Sequence, residues 1–329
     1  MKHIIFRADA GKNIGFGHFI RSLALAGYLK DYFQCEFFTF NPDEHHASEY
    51  QLLEISKICK YHHIVAESIN EFNKTFIDSL SGDEIVVLDN YYFTTEYQKQ
   101  IKDKGCRLVC IDDMHDRHMV ADVIFTSCPL KINDFSLEPY TRFYGGIEWA
   151  FLRTPFLMAQ NQLRTTNHDI KSVVIAVGGA DPYGLTNKLA EILFSINPSL
   201  KISIIAGDTV EISDKYSDMV SIYRRLSAEG ITNIFYKSDL GVFSASTICV
   251  EAIACKLPIA AGWYVDNQKE FYNNGVERNY FMPIGNFFDN SDKIKANIIS
   301  CMQKYRNHIV PNIDFNSKRH DIVKIFNTL

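Results

Sequence analysis

The sequence predicts an α/β protein built from two Rossmann-like domains, each a doubly wound parallel sheet. Short apolar runs rich in β-branched and aromatic residues alternate with longer helical segments along the chain. Strands buried on both faces of a parallel sheet have this continuous apolar character. The alternation starts again after residue 170, and a length of 329 residues suits two domains. We therefore expect any ligand at the carboxyl ends of the strands, in a cleft between the domains.

The elements follow from these runs in chain order. Strands are predicted at 3–7, 35–40, 62–65, 84–89, 107–112, 122–127, 172–178, 201–207, 220–223, 239–244 and 257–263. Helices are predicted at 18–32, 47–58, 68–80, 93–104, 184–196, 247–256, 266–275, 288–304 and 315–328. The polar segment 153–169 has no clear period and is the predicted linker. The expected domains are therefore 1–155 and 170–310, followed by a C-terminal helix in 311–329 whose packing the sequence leaves open.

Composition excludes several classes of function. The net charge is −5 and charges of both signs are interspersed, so no basic surface for nucleic acid is predicted. The N-terminus lacks the pattern of a signal peptide, and no apolar run reaches the roughly 20 residues that span a bilayer. None of the eight cysteines has Cys-x-x-Cys spacing. We expect a cytoplasmic protein with reduced thiols that pack as small apolar residues.

The loop after the first strand carries two glycines and opens a helix. Gly15 and Gly17 could place backbone amides near an anion. A dinucleotide fingerprint would have a third glycine where Ile20 stands and an acidic residue where Asn41 ends the second strand, which argues against NAD. Tight packing of strand and helix is the alternative role for the glycines.

His18 lies in the first turn of that helix, where the positive helix end favours a neutral imidazole that can accept a proton. Arg21, one turn later, could hold a phosphate or orient His18. A purely structural histidine is the alternative.

Two segments of the second half have the composition of phosphate-binding turns. Gly178 and Gly179 end a strand, where an ordinary strand–helix turn is the alternative. Ser244, Ser246 and Thr247 precede a helix that carries Glu251. Hydroxyls at a helix N-terminus suit phosphate oxygens, and the carboxylate could reach ribose hydroxyls. The alternative is a helix capped by Ser246 or Thr247, with Glu251 on a solvated face.

Two polar clusters follow strands in the first half. One contains Asp89, Asn90 and Tyr91. The other, between Asp112 and His118, has two histidines and three carboxylates but no known zinc spacing. We expect Asp113 or Asp116 to pair with Arg117, and we predict no metal.

Several segments together resemble one enzyme family. They are "RADAGKNIGFGHFIRSLALA", "VLDNYYFTTEYQ", "IDDMHDRHMVADVIFT", "YGGIEWAFLRTPF", "IAVGGADPYGLTNKLAEIL" and "ASTICVEAIACKLPIAAGWYVDNQ". From residue 4 to about 275 the chain resembles the UDP-2,4-diacetamido-2,4,6-trideoxy-β-L-altropyranose hydrolases of pseudaminic acid biosynthesis. These are similar in turn to the MurG-like glycosyltransferases of GT-B fold.

The resemblance implies a GT-B fold with UDP bound mainly by the second domain. It implies hydrolysis at the anomeric carbon that releases UDP and the free sugar, with no metal and no cofactor. A UDP leaving group needs little acid catalysis, so the enzyme mainly needs a base that activates water on the opposite face, which favours inversion.

The resemblance also assigns roles to residues. The catalytic set is His18 as base, Tyr91 at the sugar, and Asn267 near the diphosphate or sugar. The substrate-binding set that it implies is Gly15, Gly17, Gly178, Gly179, Ser244, Ser246, Thr247, Glu251 and Gln268. Arg21 and Asp89 join this set from their positions in the sequence, one turn after His18 and just past a strand. Ala245 stands where the family usually has glycine, and Asn90 where serine or histidine is common.

Three alternatives share the fold. They are a GT-B glycosyltransferase using a UDP-N-acetylamino sugar, a UDP-N-acetylglucosamine epimerase, and a non-catalytic nucleotide-sugar binder. If the protein is a hydrolase, its expected partner is a UDP-linked diacetamido sugar. Neither nucleic-acid binding nor membrane insertion is expected. The protein is expected to be a monomer or weak dimer.

Overall fold

The chain folds into two compact units. The computed structural model describes residues 1–11, 16–41, 47–128, 130–162, 164, 169–179 and 181–329. The first unit contains Met1–Arg153 together with Asp314–Leu329, and the second contains Thr154–Ile313. The division therefore falls at the start of the segment predicted as a linker, and the C-terminal helix belongs to the first unit.

The first unit is a parallel sheet with helices packed on it. Its strands are β1 (His3–Ala8), β2 (Gln34–Phe38), β3 (Lys60–Tyr61), β4 (Ile85–Asp89), β5 (Arg107–Ile111), β6 (His118–Met119), β7 (Val123–Thr126), β8 (Ser136–Leu137) and β9 (Arg142–Gly145). Its first helices are α1 (Gly17–Leu29), α2 (Glu49–Ser56), α3 (Ile69–Ser79) and α4 (Thr95–Asp103). Short 3-10 turns lie at Ile132–Asp134 and Ile147–Trp149.

Strand order in this sheet reverses next to β1. Among the described residues the order in this sheet is β3-β2-β1-β4-β5-β7-β9, and neighbouring strands run parallel. Strands β6 and β8 pair with each other in a separate sheet. The chain first builds outward from β1 in one direction and then returns to build from β4 in the other. In doubly wound sheets ligands bind at the carboxyl ends of the strands that flank such a reversal, which here are β1 and β4.

The second unit repeats this plan. Its strands are β10 (Ser172–Ala176), β11 (Lys201–Ile205), β12 (Val220–Tyr223), β13 (Leu240–Ser244), β14 (Ile259–Trp263) and β15 (Met282–Asn286). Its helices are α5 (Thr154–Ala159), α6 (Leu185–Ile196), α7 (Asp214–Ser217), α8 (Ala228–Lys237), α9 (Thr247–Ala254), α10 (Asp266–Glu277) and α11 (Ser291–Lys304), followed by a 3-10 turn at Tyr305–Asn307. Described strands are ordered β12-β11-β10-β13-β14-β15, so the reversal lies between β10 and β13.

Helix α12 (Phe315–Asn327) returns the chain to the first unit. Its buried Phe326 has its ring centroid 6.4 Å from that of Phe33 and 6.5 Å from that of Phe125. Helix α12, whose packing the sequence left open, therefore packs against the N-terminal half of the chain. Its apolar face is buried there.

The central strands agree with the predicted doubly wound sheets. All residues of β4 and β13 are buried, as expected for strands covered on both faces. The predicted strand at 62–65 is wrong: the strand is Lys60–Tyr61, and Val65 is 81% exposed. The predicted linker begins instead with helix α5, whose Phe156 and Leu157 are buried.

The cysteines pack as expected. All eight are free thiols, and all except the half-buried Cys59 are buried. Burial raises the pKa of Cys249 to about 12, which keeps that thiol protonated. No helix of the described chain is both long and apolar enough to cross a membrane.

The close packing of two strand-end loops in the second unit can be tested at Gly207. A Cβ added there would lie 1.8 Å from the carbonyl oxygen of Gly179, and backbone cannot yield as a side-chain end can. We expect Gly207→Ala to lower the free energy of unfolding by about 2–4 kcal/mol, measured by urea denaturation. Gly27→Ala is the control, because its Cβ would meet only the Ile58 side chain at 3.8 Å. Equal stability of both variants would contradict the close approach.

Candidate active site

The predicted residues of the first unit meet at the strand-order reversal. Helix α1 begins at Gly17 directly beyond β1, and Asp89 is the last residue of β4. Asp89 is paired with Ala8 across the two parallel strands. Helix α1 packs on both strands, so its first turn lies over their carboxyl ends. The fold thereby brings His18, Arg21, Asp89 and Tyr91 together from two separate stretches of sequence.

His18 is held by Asp89. Its Nδ1 lies 2.7 Å from Asp89 Oδ1, and both side chains are buried. A carboxylate can only accept, so Nδ1 carries the hydrogen and Nε2 is left with its lone pair. No described residue forms a hydrogen bond with Nε2. The arrangement fixes one tautomer of the imidazole and leaves its other nitrogen able to accept a proton.

Asp89 is bound on both oxygens by α1. Arg21 donates from Nε to Oδ2 and from Nη2 to Oδ1, each at 2.7 Å, and Ser22 donates to Oδ2 at 3.0 Å. His18, Arg21 and Ser22 are spaced i, i+3, i+4 and so share one helix face. Burial raises the pKa of the Asp89 carboxyl, but the charges of Arg21 and His18 and their hydrogen bonds outweigh it and lower that pKa below the usual value. Asp89 is therefore ionised at neutral pH.

Arg21 contacts a second carboxylate. Its Nη1 donates to Asp113, which follows β5, and Thr126 at the end of β7 donates to Asp113 at 3.0 Å. Burial disfavours the charge on Arg21, but Asp113 and Asp89 raise its pKa well above the usual value. Arg21 is thus a cation between two carboxylates.

Tyr91 lies beside His18. The two ring centroids are 4.3 Å apart and the rings are nearly perpendicular, at 87°. Arg117 donates to the Tyr91 carbonyl at 2.6 Å and also pairs with Asp116 at 2.7 Å. Of the two predicted partners of Arg117, the structure selects Asp116, because Asp113 is bound to Arg21. No group of three or more His, Cys, Asp or Glu side chains in the described ranges could hold a metal ion.

The glycine turn of the second unit lies at its own strand-order reversal. Gly178 has φ +128°, a conformation that favours glycine, and a Cβ there would meet the Tyr264 hydroxyl at 3.3 Å. A Cβ at Gly179 would meet nothing within 4 Å among the described atoms. Ser244 is buried and donates to the Val177 carbonyl at 3.0 Å, which ties the ends of β10 and β13 together. Ser244 is therefore a structural tie, unlike the substrate contact that was predicted.

The helix after the glycine turn is already capped. The Asp181 carboxylate accepts hydrogen bonds from the amides of Leu185 at 2.9 Å and Thr186 at 2.8 Å. Asp181 itself is buried. These amides of α6 are consequently satisfied, and in the described part of this strand–helix connection the glycines Gly178 and Gly179 remain candidates for a phosphate contact.

Helix α9 differs from α6 at its N-terminus. Its N-cap residue is Ser246, whose side chain caps no amide but donates to the Ser244 carbonyl at 3.3 Å. Ser246 is therefore the N-cap residue, as the alternative interpretation expected, but its side chain satisfies no helix amide. Thr247 opens the helix, and both hydroxyl residues are partly exposed. Glu251 is buried, which excludes the solvated face that was its alternative.

Asn267 and Gln268 lie in the first turn of α10. Gln268 accepts from the Tyr264 amide at 3.2 Å, whereas Asn267 is exposed. The structure thus places Gly178, Ser246, Thr247 and Gln268 at the carboxyl edge of one sheet.

Some predicted roles change and some partners are new. Gly15 lies outside the described residues. Asp89 is fully buried with both oxygens occupied, so it cannot make the predicted direct contact with a substrate. Ser22 and Thr126 were not singled out from the sequence. The i+4 spacing of Ser22 from His18 is a signal for the first, but Thr126 meets the site only through the order of β5 and β7.

The ionised state of Asp89 can be tested by measuring stability, without an activity assay. We expect Asp89→Asn to lower the free energy of unfolding at pH 7 by about 3–5 kcal/mol, because Arg21 keeps a buried charge without its main partner. A carboxyl whose pKa is lower in the folded state stabilises above its unfolded-state pKa of about 3.9 and loses that effect as pH falls. The difference between wild type and variant, measured by urea denaturation, should therefore shrink below about pH 4.

Asp78→Asn is the control for that variant, because Asp78 pairs with Lys74 on an exposed helix face. It should leave stability nearly unchanged. A difference for Asp89→Asn that persists undiminished at low pH would contradict the ionised state of Asp89.

The chain is similar to known proteins at modest sequence identity. No family model matches it. It is 23% identical over 286 residues to an uncharacterised protein of Methanocaldococcus jannaschii, covering 82% of this chain but only 57% of that relative's length. It is 26% identical over 277 residues to the UDP-2,4-diacetamido-2,4,6-trideoxy-beta-L-altropyranose hydrolase of Campylobacter jejuni, covering 81% of this chain and 93% of that one. The second match confirms the resemblance found in the sequence motifs.

Solved structures show the fold. MurG from Acinetobacter baumannii superposes with a TM-score of 0.61 at 11% identity, over 100% of both chains. HepE of Anabaena in complex with UDP gives a TM-score of 0.62 at 12% identity, also over 100% of both chains. The chain therefore has the two-domain α/β GT-B fold that the sequence predicts, and its sequence resembles the altropyranose hydrolases.

Proposed function

We propose that the protein is an enzyme that acts on a UDP-sugar, and that it is a hydrolase releasing UDP and a free 2,4-diacetamido-2,4,6-trideoxyhexose. The similarity to the Campylobacter jejuni hydrolase supports both statements. The proposed place of the reaction is nonulosonic (pseudaminic) acid biosynthesis. The observation that carries the proposal is the His18–Asp89 pair, because hydrolysis needs a positioned base for water.

His18 is the proposed general base. Asp89 holds Nδ1–H, so a water molecule at Nε2 can pass its proton to the imidazole. Asp89 also stabilises the imidazolium that results, while Asp89 itself stays ionised. The Tyr91 ring lies against the imidazole of His18 and limits its movement on that side. Asp89 is thus a positioning residue in this proposal.

The proposed reaction is a single displacement at the anomeric carbon. The water oxygen forms a bond to that carbon as the bond to the diphosphate oxygen breaks, and UDP leaves with the bonding electrons. The water proton goes to His18. Attack from the face opposite the leaving group inverts the anomeric configuration. No acid is needed for a leaving group as stable as a diphosphate.

The second unit supplies the proposed UDP contacts. Gly178 and Gly179 let a phosphate approach backbone, and Ser246 and Thr247 offer hydroxyls and the uncapped amides of α9. Glu251 is assigned to the ribose. Asn267, exposed in the first turn of α10, and Gln268 are assigned to the diphosphate or sugar. These roles follow the sequence resemblance and the location of Gly178, Ser246, Thr247 and Gln268 at one edge of the sheet.

His18→Gln tests the base. We expect kcat to fall by about 10²–10⁴, with KM changed little, because the imidazole acts on the reacting water and not on substrate binding. UDP release followed by a coupled assay measures this. Unchanged thermal unfolding is the control for folding. A folded variant with near-wild-type kcat would exclude His18 as the base.

The reaction class is tested by supplying substrate without an acceptor. We expect the protein to release UDP from a UDP-2,4-diacetamido-2,4,6-trideoxyhexose in buffer alone, with NMR detecting first the sugar anomer opposite to that in the substrate. Turnover only after addition of an acceptor hydroxyl would favour a glycosyltransferase, which has the same fold. A nucleotide-linked product with altered sugar configuration would indicate an epimerase.

A further inference from the structure

We propose that Arg21 and Asp113 are positioning residues that set, with opposite sign, the pH at which His18 becomes able to act as a base. This inference rests on the base role proposed for His18. It assigns to Arg21 a role inside the protein in place of a phosphate contact, and it gives Asp113 a role that its position in the sequence does not suggest.

The contacts connect the two residues to His18 in one chain of charges. Arg21 donates to Asp89 through Nε and Nη2, and Nη2 is also 3.2 Å from His18 Nδ1. Because Nδ1 carries a hydrogen for Asp89, the second approach places positive charge beside the imidazole without a hydrogen bond. Nη1 donates to Asp113. Every guanidinium nitrogen therefore already donates to a carboxylate of the protein.

Burial strengthens the electrostatic effect of these charges on the protonation of His18. The side chains of Arg21 and Asp113 are 11% and 16% exposed, and that of Asp89 is not exposed. Water screens such charges weakly, so a unit charge a few ångströms away changes protonation by more than it would at the surface. Thr126 holds Asp113 at 3.0 Å, which fixes the distance of its charge from Arg21.

The groups that face His18 come from each neighbouring element. Asp89 and Tyr91 come from the end of β4, Arg21 from α1, and Asp113 reaches the pair through Arg21. Asp9, beyond β1, also acts on His18 by its charge, but it is paired with the buried Arg7. The Arg7–Asp9 pair therefore contributes little net charge, and among the residues that the structure describes the balance depends on Asp89, Arg21 and Asp113.

The signs follow from this balance. Removing the cation of Arg21 leaves Asp89 to favour the imidazolium, so a higher pH is needed to obtain the neutral base. Removing the negative charge of Asp113 leaves the positive charge of Arg21 less balanced by its neighbours. That charge disfavours the imidazolium, so His18 stays neutral down to a lower pH. A loss of packing alone would lower activity in both variants without moving them in opposite directions.

The experiment uses Arg21→Gln and Asp113→Asn in the full chain. The C2 protons of the histidines are followed by NMR between pH 4.5 and 9, and the signal missing in His18→Gln identifies His18. We expect its midpoint to move up by about half a pH unit or more in Arg21→Gln and down by a similar amount in Asp113→Asn. The acidic limb of kcat/KM for UDP release should move in the same directions.

Two further variants complete the test. Arg21→Lys keeps the charge but loses the planar fork, so its midpoint should stay near that of wild type while kcat falls. If Arg21→Gln does not fold, the downward shift expected for Asp113→Asn remains as the test of the charge balance. Asp78→Asn removes an ion-paired carboxylate from an exposed face of the same unit and should shift nothing.

The outcomes separate the two proposals. Midpoints of Arg21→Gln and Asp113→Asn that stay within about 0.2 pH units of wild type, a factor of about 1.6 in the protonation constant, would overturn the inference. Movement of both midpoints in one direction would overturn it too. Opposite shifts by NMR support it even if the protein releases no UDP from any UDP-sugar, in which case the proposed function fails and the charge balance stands.

Discussion

The arrangement at the N-terminal site depends on one constraint: a carboxylate, Asp89, ends a buried strand and has no access to water. A buried charge of this kind is tolerated only when it is paired and fully hydrogen-bonded. One face of α1 meets that demand with His18, Arg21 and Ser22. The orientation of the candidate base is therefore a consequence of satisfying Asp89. The same hydrogen bonds hold the carboxyl end of β4 against the first turns of α1.

The two sheets use their strand-order reversals in different ways. At the reversal of the first, side chains from α1 and β4 form a compact charged cluster. At the reversal of the second, glycines and hydroxyls leave backbone accessible, and the helix start of α9 has no side-chain cap. Charged groups that position a proton acceptor and uncapped amides that suit an anion have different chemical uses. This difference is the physical basis for assigning the base to one unit and UDP to the other.

Periodicity was sufficient for the central elements but not for those at the edges. Continuous apolar runs predicted β1, β4, β10 and β13, because strands buried on both faces tolerate few polar residues. Helix α8 was not predicted, although Ser227 caps it and its buried residues follow a helical period. The short strands β6, β8 and β9 also escaped prediction, since two to four residues carry too little pattern.

The sequence by itself determined the α/β class, the repeated sheet plan and the family resemblance, because these depend on local periodicity and on motifs read along the chain. It also singled out His18, Arg21, Asp89 and Tyr91. Only the tertiary structure decided what they do to one another: that Asp89 is buried under the helix, and that Asp113 binds Arg21 and not Arg117. Partners 68 to 92 residues apart are joined by strand order, which no local pattern contains.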